Sequence, residues 1–496
     1  MNKAILRISL ACLAMFVLLL INVNYVQAFQ ANSLANKPGN VRVFDEQFTY
    51  QRGSILADGD GTNLKIAESL AKKGIYHRYY PYGPEYAPIT GYDTIYSQSG
   101  IEAAENKELA GTDPRLAVRN LTSLLTGKQK QGATVALTIS PTAQNAAYQG
   151  LLADGGHQAA VVALNPQTGA VLAMASYPSF NPNLLATFDG TQLNAVDNKL
   201  LREKSQPLLN RAIQATYPPG SSFKIVTSSA AYSNGLVANP QTTIPAPTVL
   251  TLPNGNLLHN DGDIACFDGN PQIIQAFYLS CNTAFAKLGI KLGAQRLRNQ
   301  ASLFGMNRPL NIPLAVAPSV LPTGPGWTDP SLTALSAIGQ YNDEVSPLQE
   351  AMFAAAIENH GRLMKPYMVQ QVLGPGLSVI ESANPALLST AVNPTVASDV
   401  KQMMEQVTQN PGGTAYQTAG PPATSIVIYG KTGNAENGPN PTGSPDDAVF
   451  SCFVPGGSAG APYPIAIGVM VKGGGFGADA AAPIALKIIK AYEARR

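Results

Sequence analysis

Two sets of apolar, strand-like runs sit at either end of the last two thirds of this chain, and they leave few ways to fold it. Residues 159–164 and 170–175 flank Asn165-Pro166-Gln167-Thr168-Gly169, a turn signal that predicts a β-hairpin. Far downstream, 424–429 (TSIVIY), 448–454 and 464–472 read as strands, and 480–493 reads as a closing helix. The intervening 210–410 is patterned mostly for helices, at 224–233, 274–292, 334–338, 348–359 and 398–406. Two strands, helices, three strands and a helix are satisfied by one antiparallel sheet assembled from both ends and flanked by helices, an α/β (α+β) fold.

The N-terminal part is of another kind. Residues 8–29 carry no charge, 8–21 (ISLACLAMFVLLLI) are almost wholly apolar, and Lys3 and Arg7 precede them. This predicts a single transmembrane helix with its start in the cytoplasm. A cleaved signal peptide is the competing reading, since Val26-Gln27-Ala28 resembles a small-residue cleavage site. Either way, everything after residue 30 is expected outside the cytoplasm. The Tyr-rich stretch 76–96 reads as short strands and turns. Residues 134–139 read as a strand and 141–152 as a helix, and the Gly155-Gly156 break suggests a domain junction near 150–158.

Composition excludes several functions. Charged residues make up 13% of the 496-residue chain, against about 25% in an ordinary soluble domain, and the net charge is +2. Low charge with 45% hydrophobic residues is the opposite of the disorder signature. A near-neutral chain supplies no field to attract phosphates, so nucleic acid is not an expected partner. The four histidines and four cysteines form no zinc-ligand pattern, and no metal is expected.

Chemistry concentrates in three short elements. In Tyr217-Pro218-Pro219-Gly220-Ser221-Ser222-Phe223-Lys224 the prolines and Gly220 mark a helix start near Ser221. Ser221 and Lys224, at i and i+3, then share one helix face. A serine needs a base to become a nucleophile, and a lysine is that base only when burial or a second cation depresses its pKa. Ser-x-x-Lys also occurs at Ser69–Lys72 and Ser398–Lys401, but those pairs lie in plain helical patterns without a Pro-Pro-Gly start. The second element, Ser280-Cys281-Asn282, lies between two apolar helical stretches and reads as a polar loop between buried helices. Ser280 is suited to relaying a proton and Asn282 to orienting substrate or Lys224. The third, Lys431-Thr432-Gly433, follows the expected strand 424–429. A cation, a hydroxyl and a glycine at a strand end make an anion-recognition edge, and Lys431 is a candidate second cation beside Lys224. Cys266 and Cys281, 15 residues apart and extracytoplasmic, are either a disulfide beside that loop, stabilising by about 3 kcal/mol, or two small buried thiols.

In this order the three elements resemble the signature of penicillin-binding proteins and serine β-lactamases. The likeness covers nearly the whole chain and is strongest to the class B penicillin-binding proteins of the actinobacterial penicillin-binding protein A branch. Arg52-Gly53-Ser54-Ile55, Ile338-Gly339-Gln340, Ser346-Pro347-Leu348-Gln349 and Ala482-Pro483 add to it. The resemblance implies a tail and anchor over 1–30, a pedestal (dimerisation-type) domain over 31–155 and a transpeptidase domain over 156–496. It implies a peptidoglycan D,D-transpeptidase with Ser221 as acylated nucleophile and Lys224 as base. Ser280 and Asn282 assist, Lys431 and Thr432 recognise the substrate carboxylate, Gly433 lets substrate approach the strand backbone, and backbone N–H groups of Ser221 and Asn434 form the oxyanion hole. The family usually has threonine where this chain has Asn434 and an aromatic where it has Val449. Implied partners are stem peptides, β-lactams and a membrane glycosyltransferase of the shape, elongation, division and sporulation family, with no cofactor. A D,D-carboxypeptidase, a β-lactamase and a catalytically silent wall-assembly scaffold are the alternative readings.

Overall fold

The computed structural model describes residues 3–30, 48–72, 74–116, 131–263, 265–324, 326–436, 445–457 and 462–495. The helix Lys3–Tyr25 stands exposed, and its segment Ile5–Tyr25 is long and apolar enough to cross a membrane.

The two ends of the last two thirds of the chain meet in a five-stranded antiparallel sheet. Its order is Tyr429–Ala435, Asp447–Val454, Ile465–Val471, Ala159–Leu164, Val171–Tyr177. The three inner strands are buried at every position, so both faces are covered. Helices Pro141–Ala153 and Ala481–Glu493 pack on each other and on this sheet, and Pro347–Glu358, buried at every residue, packs on it as well. That last helix comes unusually close. A Cβ on Gly468 would lie 2.3 Å from Pro347 O, so glycine is required there.

One expected strand is displaced. Residues 424–428 form no strand, and pairing begins at Tyr429 opposite Phe453. The partner strand ends at Val454, ahead of Pro455, so residues 424–427 have no strand residue opposite them. The apolar alternation of TSIVIY therefore leads into the strand, and Lys431, Thr432, Gly433 and Asn434 lie within it.

The second sheet interleaves the two halves of the chain. Its order is Val379–Ser382, Val369–Leu373, Thr134–Leu137, Ile55–Ala57, Leu64–Lys72, Ile75–Tyr79, and only Ile55–Ala57 with Thr134–Leu137 is parallel. Ser69–Lys72, expected in a helix, lies in the hairpin strand Leu64–Lys72. Its register with Ile75–Tyr79 is set across Gly74 at φ +81°. Beside this sheet, Glu102 is fully buried between Arg52 Nε (2.7 Å) and Arg78 Nε (2.5 Å). Asp93 Oδ2 lies 3.6 Å from Arg52 Nε, so two carboxylates and two guanidinium groups balance, and losing either guanidinium would leave an uncompensated buried charge.

Candidate functional site

The site forms at the open edge of the five-stranded sheet, where three segments meet. The first is the turn Gly220–Phe223. It is a 3-10 turn, and the α-helix proper starts only at Lys224 and runs to Ser233. This differs from the expected helix start at Ser221, and it matters. In 3-10 geometry residues i and i+3 eclipse, which sets Lys224 Nζ 2.8 Å from Ser221 Oγ. Gly220 adopts φ +55°, and a Cβ there would lie 2.4 Å from Asn434 O. On the facing strand a Cβ at Gly433 would lie 2.6 Å from Pro219 O. The two glycines let turn and strand backbones meet.

The second segment is the link between helices Ile273–Tyr278 and Asn282–Leu292. Ser280 sits in it at φ +63°, a left-handed conformation uncommon for a residue with a Cβ. Cys281 is bonded to Cys266, which ties the link to the segment before it. Lys224 Nζ lies 2.7 Å from Ser280 O, 3.2 Å from Ser280 Oγ and 2.8 Å from Asn282 Oδ1. Asn282 Nδ2 donates to Asp261 Oδ1 at 3.2 Å and to His259 O at 3.4 Å.

The third segment is the edge strand. Lys431 Nζ donates to Ser280 Oγ (2.9 Å) and Thr432 O (2.8 Å), so the Ser280 hydroxyl bridges the two lysines. Thr432 Oγ1 lies 2.7 Å from Thr414 Oγ1. Asn434 Oδ1 accepts from Gly477 N at 3.3 Å, and Asn434 O accepts from Gln340 Nε2 at 3.3 Å. Lys224 and Lys431 are completely buried, whereas Ser221 and Asn434 are half-buried and reachable.

Burial governs the electrostatics. It lowers Lys224 to about 7, with Asp261 pulling weakly the other way. Lys431 falls well below the ordinary lysine range, first through burial and then through the nearby Lys224 charge. The two buried ammonium groups disfavour each other's charge, and this repulsion adds to burial in holding Lys431 down. Lys224 Nζ also lies 5.6 Å from the centre of the Phe285 ring and Lys431 Nζ 5.8 Å from that of Phe277. A neutral Lys224 amine has two N–H donors and one lone pair. Ser280 O and Asn282 Oδ1 can only accept, so they take the two donors. The lone pair is left for the Ser221 hydroxyl proton. The arrangement can thus generate a serine nucleophile without a histidine.

The structure brings together all eight residues singled out from the sequence. Thr414, Asp261 and Glu350 were missed. Glu350 Oε1 lies 2.8 Å from Ser222 Oγ, directly beneath the nucleophile turn. Thr414 had a weak signal in Pro411-Gly412-Gly413-Thr414, a turn sequence after a long helix. The other two had none.

Comparison with known proteins agrees with this geometry. The penicillin binding protein transpeptidase domain family matches residues 159–490, and the penicillin binding protein A dimerisation domain family matches 52–135. The chain belongs to the penicillin-binding protein transpeptidase family. It is 39% identical to the peptidoglycan D,D-transpeptidase PbpA of Mycolicibacterium smegmatis, across 99% of both chains. To the PbpA of Mycobacterium tuberculosis it is 37% identical, again across 99% of both. The crystal structure of M. tuberculosis PBPA superposes with a TM-score of 0.81 at 36% identity, covering 90% of this chain and 99% of that one. The penicillin G acyl-enzyme complex of the same protein gives 0.80 at 36% identity, over 89% and 99%.

Proposed function

We propose that this chain is a peptidoglycan D,D-transpeptidase acting through a Ser221 acyl-enzyme. The observation that carries the reading is a fully buried Lys224 amine 2.8 Å from an accessible Ser221 hydroxyl. Lys224 takes the Ser221 proton as Oγ attacks the penultimate D-Ala carbonyl of a stem peptide. Backbone N–H groups of Ser221 and Asn434 receive the developing oxyanion. The C–N bond breaks, and the departing D-Ala amine takes a proton through Ser280, whose hydroxyl touches both lysines. An amine from a neighbouring stem then attacks the ester. It loses a proton to the same relay, and Ser221 is released. Lys431, Thr432 and Gly433 hold the substrate carboxylate, and Asn282 holds the acyl chain and Lys224. A β-lactam presents the same carbonyl and carboxylate and acylates the same serine.

Residues 31–155 would serve as pedestal and 156–496 as the catalytic unit. The helix Lys3–Tyr25 would anchor the chain in the plasma membrane, with Arg7 on the cytoplasmic side and residues after 30 outside, where the substrate lies. Glycan strands must be polymerised before they are cross-linked, so the proposed partner is a membrane glycosyltransferase of the shape, elongation, division and sporulation family.

Labelling with fluorescent penicillin tests the reading. Wild type is expected to label covalently and Ser221→Ala to remain dark while melting like wild type. A wild type that stays unlabelled at high probe concentration refutes it.

A further inference from the structure

The three residues 259–261 grip the start of the helix Asn282–Leu292 from the solvent side. His259 O accepts from Asn282 Nδ2, and Asn260 Oδ1 accepts from Thr283 N (3.0 Å) and Thr283 Oγ1 (3.2 Å). Asp261 Oδ1 accepts from Asn282 Nδ2 at 3.2 Å, and the Cys266–Cys281 bond closes the same grip five residues later.

An asparagine side chain has one accepting and one donating end, and nothing in its shape decides which end faces inward. Both orientations of Asn282 are open to a neutral Lys224. Its Oδ1 can accept an amine N–H, or its Nδ2 can donate to the amine lone pair. The second would occupy the lone pair that Ser221 needs. We propose that Asp261 is a positioning residue that acts through Asn282. Its carboxylate accepts the outward Nδ2–H at 3.2 Å, ahead of the longer 3.4 Å contact to His259 O, and so keeps Oδ1 on Lys224 and leaves the lone pair free for Ser221. The inference rests on the acyl-enzyme reading given above.

The carboxylate also acts through space. The charged groups facing Lys224 are Lys431 from the edge strand and Asp261 from the turn. Ser221, Ser280, Asn282 and Phe285 face it without charge. Asp261 is exposed, so its field on Lys224 is screened and modest, and its direct hydrogen bond is the larger effect.

Two variants separate these effects. Asp261→Asn keeps an accepting oxygen for Asn282 and loses the charge, while Asp261→Ala loses both. The rate of acylation by fluorescent penicillin is measured from pH 5.5 to 9.5 on the full chain with the disulfide intact. Melting temperature is measured alongside. Asp261→Asn is expected to keep its high-pH rate within about 3-fold of wild type, with its acidic limb about half a pH unit lower. Asp261→Ala is expected to lose about 10-fold or more at every pH without a matching loss of melting temperature. Two wild-type-like variants overturn the inference while leaving the acyl-enzyme reading intact. Equal losses in both variants with an unmoved acidic limb also overturn it, since that is a purely structural role. A wild type that never labels refutes the acyl-enzyme reading itself.

Discussion

Glu350 offers a test of the nucleophile's support that does not depend on the reaction. Its carboxyl is completely buried, and burial raises its pKa to about 8. Ser222 Oγ lies 2.8 Å from both Pro219 O and Glu350 Oε1, and one hydroxyl proton cannot serve two acceptors. A protonated Glu350 resolves this by donating to Ser222, which then donates to Pro219. Below pH 4.5 the carboxyl is protonated in folded and unfolded chains alike, and it contributes no pH dependence. Between 4.5 and about 8 only the folded chain keeps the proton. Stability therefore falls as pH rises through that window, by up to about 1.4 kcal/mol per pH unit. From pH 5 to pH 8 this one group costs about 2–4 kcal/mol. Glu350→Gln is neutral at every pH, and its amide can donate to Ser222 in place of the acid. The variant is expected to melt like wild type at pH 5 and about 3–6 °C above it at pH 8. Thermal unfolding of both proteins at the two pH values is the assay, and the wild-type/variant difference cancels all other titrations. A melting-temperature gap that is the same at pH 5 and pH 8 would refute a buried neutral acid at this position.

Other consequences can be read at the site itself. Acylation by penicillin should rise with pH through an apparent pKa near 7, and Lys224→Arg, which cannot deprotonate, should lose about 10²–10⁴-fold in rate. A Cβ at Gly339 would lie 1.9 Å from Gly220 O at a backbone φ of +77°. Gly339→Ala should therefore displace the nucleophile turn, lowering stability by about 2–4 kcal/mol in a denaturant melt and acylation at least about 10-fold. Cys266→Ser should cost about 3 kcal/mol in the same melt, and wild type under reducing conditions should reproduce that loss.

Local pattern revealed what is local. The hairpin Ala159–Leu164 and Val171–Tyr177 could be read because two apolar runs flank an Asn-Pro turn. Ser221 and Lys224 could be read because the base is three residues from the nucleophile. Long-range pairing was not legible. Val369–Leu373 joins Thr134–Leu137 across more than half the described chain, and its five residues carry no mark of that partner. The start of the strand Tyr429–Ala435 is not legible locally, because its partner Asp447–Val454 ends just ahead of Pro455. Ser69–Lys72 lies in a run whose pattern suits a helix, and its strand exists only through pairing with Ile75–Tyr79. Asp261 and Glu350 reach the site through turns and packing fixed by other segments, so no spacing rule points to them.

The oxygens around Lys224 explain why the central element is Ser-x-Asn and not a carboxylate motif. Two neutral acceptors, Ser280 O and Asn282 Oδ1, hold the amine without paying for its charge, and burial does the rest. Asn282→Asp changes the balance at almost constant shape. It puts a negative charge 2.8 Å from Lys224 Nζ, where the amide oxygen now lies. With the charge counted from the centre of the carboxylate, about 4 Å from Nζ, an effective dielectric of about 20 makes the pair favour the ammonium by about 4 kcal/mol, or about three pH units. Lys224 would return from about 7 toward its ordinary value of 10.5. The variant should acylate at least about 100-fold more slowly than wild type at pH 7 and regain much of the rate by pH 10. This is opposite in sign to the shift expected for Asp261→Asn, so the pair brackets the base from both sides. An Asn282→Asp acidic limb that stays near pH 7 would mean that Lys224 is not the titrating base.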